Sequence, residues 1–109
     1  MITAFDSLIV DADNLSELED FDTDKLLLIT CGLSQKATVT ASSIDDECFS
    51  YCIQRAFKTV SGKTLLPQEF KIHCSKKAGN LYPALETVTL LLLFDVPPAE
   101  ISDKLTIFI

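Results

Sequence analysis

Residues 47–60 alternate in polarity. Phe49, Tyr51, Ile53 and Phe57 fall on one face, and Cys48, Ser50, Cys52, Gln54 and Lys58 on the other. A period of two fits a half-buried strand and no helix, so this stretch must lie in a sheet with one dry face. Its neighbours repeat the pattern. Residues 37–44 are rich in Thr, Val and Ser and alternate, and Asp45-Asp46 marks the turn between the two stretches. Ser61-Gly62-Lys63 marks the next turn. Residues 64–74 then set Phe70, Ile72 and Cys74 against Glu69, Lys71 and His73. Short turns between alternating runs predict a three-stranded antiparallel meander. Pro67 predicts an edge position or a bulge early in the last strand.

The flanks follow other rules. Ser7-Leu8-Ile9-Val10 and Leu26-Leu27-Leu28-Ile29-Thr30-Cys31 are continuously apolar, as strands buried on both faces are. Between them Leu15, Leu18 and Phe21 recur at helical spacing, with Asn14 as N-cap and Glu17 three residues on. Strand, helix and strand predict a short βαβ unit with parallel strands. After the meander, Asn80 opens a long helix with Leu81, Ala84, Leu85, Val88 and Leu92 on one stripe, widened by Leu91 and Phe94. Asp95-Val96-Pro97-Pro98 ends it, and Pro98 suits the first turn of a short helix over 99–102. The uncharged run Leu105-Thr106-Ile107-Phe108-Ile109 predicts a segment pinned as a strand. The fold class is α/β with α+β character: a short βαβ unit, the meander and a long C-terminal apolar helix, in a single domain over 1–109.

An apolar fraction of 48% in 109 residues supplies one core. Net charge is −7 and unevenly placed. Residues 1–25 carry eight acids against Lys25, whereas residues 30–80 carry seven bases against four acids. A nucleic acid would meet a repulsive field overall, so no nucleic-acid partner is expected. The N-terminus has neither the basic start nor the apolar stretch of a signal peptide, and residues 81–94 are too short and too polar to cross a bilayer. A cytoplasmic protein without membrane contact is expected. In that compartment Cys31, Cys48, Cys52 and Cys74 should be thiols. Cys48 and Cys52 share a strand face yet stand about 13 Å apart at strand rise. No CxxC pair exists, so no metal site is expected.

Few residues point to chemistry. Gly62-Lys63-Thr64 spells the end of a phosphate loop, but position 57, where the loop needs its first glycine, is Phe. The context is also strand–turn–strand, which reads as a hairpin. His73 is the only histidine and has no nucleophile beside it in sequence, so no catalytic residue is expected. Asp11, Asp13 and Asn14 end the first parallel strand, where open α/β sheets bind ligands. They could hold a ribose hydroxyl or a metal, and they could equally cap the helix that follows.

Two stretches resemble the Mur ligases, which use ATP to join amino acids to a UDP-linked cell-wall precursor. Leu8-Ile9-Val10-Asp11-Ala12-Asp13-Asn14 resembles that family's apolar strand ending in Asn-Ala-Asp-Asp. Leu28-Ile29-Thr30-Cys31-Gly32-Leu33 resembles its next strand. Ala78-Gly79-Asn80-Leu81-Tyr82-Pro83-Ala84-Leu85, running on to Val96-Pro97-Pro98-Ala99-Glu100-Ile101, is similar to the Gly-Arg-His-Asn helix start and to the segment closing the central domain. The resemblance spans about residues 7–101 and implies the second half of an ATP-binding domain. Asn80 matches an adenine-contacting Asn, while Gly79 and Pro83 replace the family's His and second Asn. The phosphate loop, the metal-binding groups and the carbamylated lysine would precede Met1, and the C-terminal domain is missing too.

No cofactor is therefore expected, and ATP binding is doubtful. The resemblance implies a non-catalytic module with a role in protein interaction or regulation, linked to peptidoglycan precursor synthesis. Without the nucleotide-binding sheet its apolar surface needs another cover. A homo-oligomer or a protein partner is expected through Leu91, Leu92, Leu93, Phe94, Ile107, Phe108 and Ile109. Two alternatives stand beside this. One is a nucleotide or UDP-sugar binder using Asp11, Asp13, Asn14 and Asn80. The other is a ligase subunit completed in trans by a partner that carries the phosphate loop.

Overall fold

The computed structural model describes residues 2–4, 6–13, 27–45, 47–75 and 81–108. Nine strands and two helices are found among them: β1 (Ile2–Ala4), β2 (Ser7–Asp11), β3 (Leu27–Cys31), β4 (Val39–Ser42), β5 (Cys48–Ile53), β6 (Phe57–Lys58), β7 (Thr64–Leu65), β8 (Gln68–Ser75), α1 (Tyr82–Leu93), α2 (Pro98–Lys104) and β9 (Thr106–Phe108). The main sheet runs β1-β2-β3-β4-β5-β8-β9, and β6 with β7 forms a separate hairpin. The architecture is mixed α/β.

The alternating centre folds as its period demands. β4, β5 and β8 pair antiparallel, with Tyr51 opposite Ala41 and Phe70, and Phe49 opposite Ile72. Phe49, Tyr51, Ile53 and Ile72 are buried, whereas Glu69, Lys71 and His73 on the opposite face are exposed. The turn between β4 and β5 rests on Asp45, whose carboxylate accepts the amides of Glu47 and Cys48 at 2.8 and 2.9 Å. These bonds hold its carboxyl below the usual range.

The middle strand of the expected meander is shorter than its pattern. It stops at Ile53 because Gln54 turns away to hold the loop after β3. The Gln54 amide donates to Thr38 O at 2.8 Å, and its side chain donates to Ser34 O and Ala37 O at 3.2 and 2.8 Å. Phe57 and Leu65 then pair in the β6–β7 hairpin and turn their side chains into the core. Gly62 closes that hairpin at φ +93°, a backbone that side chains oppose. Pro67 falls in the break between β7 and β8.

β2 and β3 pair in parallel over five residues, from Ser7–Leu27 to Asp11–Cys31. The helix expected around Leu15, Leu18 and Phe21 lies outside the described residues, so only the strands of the expected βαβ unit are seen. β2 is buried on both faces, but β3 is not: Leu27 and Leu28 are exposed, and only Ile29 and Cys31 are sealed. One row of residues joins the two halves of the sheet. Asp11 pairs with Cys31, Cys31 with Val39, Val39 with Ile53, and Ile53 with Gln68. Among the described residues β3 and β4 share the single paired rung Cys31–Val39. Thr30 and Thr38 reinforce that point, each hydroxyl accepting the other residue's amide at 2.8 and 3.2 Å.

The helices cover the apolar face of this sheet. Ala84, Leu85, Val88, Leu92 and Leu93 of α1 and Ile101 of α2 complete a core with Ile9, Ile29, Val39, Phe49, Tyr51 and Ile72. The expected long C-terminal helix is corrected in its length alone, since the short helix and the strand after it are both expected from the sequence. α1 has 12 residues, and it is followed by α2 and the strand β9. Its end is set by Asp95 at φ 67°, a left-handed residue that reverses the chain. The amides of Asp95 and Val96 return to Leu92 O and Leu91 O, which satisfies carbonyls the helix leaves open. Pro97 and Pro98 bar any continuation and start α2. β9 lies parallel to β8, with Cys74 opposite Ile107, and is the last strand of the sheet.

Candidate functional site

The carboxyl end of β2 is the first place to look for a site. Asp11 Oδ1 accepts the Asp13 amide at 2.8 Å, a local turn that reverses the chain directly after the strand. The Ala12 amide donates to Cys31 O at 2.8 Å and ties the turn to β3. Gly32 lies against it. A Cβ on Gly32 would come within 2.9 Å of Ala12 Cβ and 3.3 Å of Asp13 Oδ2. Glycine is required here by close approach, and both aspartates serve the turn. Asn14 and Asn80 lie outside the described residues.

α1 brings two more polar groups towards this corner. Tyr82 and Glu86 are one helical turn apart, and the Glu86 carboxylate acts on the Tyr82 phenol. Burial raises the Tyr82 phenol pKa most. The neighbouring Glu86 carboxylate adds to this, with smaller effects from Cys31 and Asp11. Three carboxylates and a protonated phenol can receive hydroxyl or amino hydrogens from a ligand. Such a corner suits the hydroxyls of a ligand rather than its phosphates. Glu86 carries no expectation from the sequence, and the i,i+4 spacing of a phenol and a carboxylate is the signal that points to it.

A second polar group is wholly buried. Thr89 donates its hydroxyl to Leu85 O at 2.7 Å. Its oxygen lies 2.7 Å from the Tyr51 hydroxyl and 3.7 Å from Cys31 Sγ. A hydroxyl has one hydrogen and two lone pairs, so Tyr51 and Cys31 must be the donors. Burial pushes the Cys31 thiol up to about 12. It raises the Tyr51 phenol as well. Both groups are protonated at neutral pH, as donors must be. The bonds link α1 to β3 and β5 and leave no reactive group.

Two of the remaining thiols have carboxylate neighbours. Cys48 donates to Asp45 Oδ2 at 3.6 Å, and Cys52 to Glu69 Oε2 at 3.6 Å. Burial raises the Cys48, Cys52 and Cys74 pKa values, and neighbouring negative groups add to the rise. A thiolate is the reactive form, so the raised values lower the nucleophilic fraction of these groups at neutral pH. His73 is exposed beside Cys48 on the outer face of the sheet. Among the described residues no group of three or more His, Cys, Asp and Glu could hold a metal ion. No helix among them is long and apolar enough to cross a membrane.

The apolar residues expected at an interface divide. Leu92 and Leu93 are corrected: at 1% and 0% exposure they belong to the chain's own core. Leu91 is half-buried in a groove of about 180 Å³ that it shares with Val96, Glu100, Ile101, Lys104 and Leu105. Phe94 is exposed where α1 turns. Ile107 is half-buried, Phe108 ends β9, and Ile109 lies outside the described residues.

The fold and this corner define a mixed α/β domain with an acidic pole at the ends of β2 and β3. Beyond that class no relative can be put beside it: no family model, curated protein or solved structure matches the chain.

Proposed function

We propose that this chain is a non-catalytic module that acts through protein contacts and associates with a second copy of itself. The outer edge of β9, which no further strand pairs among the described residues, carries the reading. β9 ends the sheet order, and Leu105 to Phe108 bear no charge, proline or bulge. Such features normally protect an exposed edge from pairing. An antiparallel pair of β9 edges would extend one sheet through two copies, with Leu91 and Leu105 as neighbouring apolar surface. The buried, protonated Cys31 thiol and Tyr51 phenol favour a non-catalytic role. A regulatory role in peptidoglycan precursor synthesis rests on the resemblance to Mur ligases over residues 7–101.

Sedimentation velocity tests the proposal. The native chain should sediment as a dimer at high concentration. Thr106→Lys, which places a charge at an exposed edge position, should sediment as a monomer with an unchanged circular dichroism spectrum. A native chain that stays monomeric up to its solubility limit overturns the proposal.

The acidic corner favours a second reading, a small ligand rich in hydroxyl or amino groups held near Asp11, Tyr82 and Glu86. A thermal-shift screen with UDP-sugars, ATP and divalent metals tests it. A stabilisation by a UDP-sugar that is lost in Asp13→Ala would support it, and no shift with any of these would dismiss it.

A further inference from the structure

We draw no further inference here: the strongest candidate, the apolar groove between α1 and α2 lined by Leu91, Val96, Ile101 and Leu105, carries nothing because nothing in the structure shows what covers it.

Discussion

Thr89 is the residue on which several others depend. Its oxygen is the acceptor for two buried donors, Tyr51 and Cys31. Thr89→Val keeps the shape and strands both donors, and should cost about 2–4 kcal/mol at about 1–3 per orphaned group, the weak thiol donor counting least. Tyr51→Phe removes one donor and leaves nothing orphaned, so it should cost only about 1 kcal/mol. The double variant should then be less destabilised than the two losses added. Urea unfolding of the three proteins checks the order; equal losses from Thr89→Val and Tyr51→Phe would reject the network. Titration offers a second check. The Cys31 thiol has an ordinary value of 9.0 when unfolded and about 12 in the fold. Its contribution is complete below pH 9 and is lost as pH rises from 9 towards 12, because the unfolded chain then binds fewer protons than the folded one. Cys31→Ser does not titrate in this window, so its stability should fall less steeply there. Asp45 has the opposite sign. Its folded value is depressed, so its contribution is present above the ordinary carboxylate range and lost as pH falls through the folded value. Asp45→Asn should flatten the acid limb of the same stability curve.

Among the elements, those with a clean period were legible and those fixed by single contacts were not. The alternation of Phe49, Tyr51 and Ile53 announces β5, because one-sided burial writes itself into every second residue. Where β5 stops is decided by Gln54, whose side chain bonds two carbonyls of a loop about 20 residues away in sequence. No local pattern encodes such a bond. The apolar run Leu26–Leu28 reads as a buried strand, yet Leu27 and Leu28 are exposed, since composition says nothing about which faces are covered. Leu92 and Leu93 read as surplus apolar surface for the same reason, and a sheet recovered from separate strands absorbs them. The Asp11–Asp13 corner was legible as a strand end, while its crowding by Gly32 was not. Gly32→Ala should therefore push the turn away from β3 and cost about 1–3 kcal/mol. Ala12→Gly in the same chain should return most of that loss. Thermal unfolding of the single and double variants decides it; no recovery would mean that the strain lies elsewhere.

At the scale of the whole molecule, the outer edge of β9 and stability should be linked. If two copies join through β9, the unfolding temperature of the native chain must rise with protein concentration, and that of Thr106→Lys must not. Scanning calorimetry at several concentrations gives the slope, and a flat native response argues for a monomer. The two ladders of the sheet share the row Asp11–Cys31–Val39–Ile53–Gln68, but the seam between β3 and β4 has a single paired rung. α1 bridges it, with Thr89 reaching Cys31 on one side and Tyr51 on the other. Under tension applied between Ser7 and Gln68, the load must pass through that rung, the Thr30–Thr38 bonds beside it and the helix laid across it. Rupture should begin at the seam, leave each ladder intact for a moment, and need less force in Thr89→Val, so the chain is built to part in the middle.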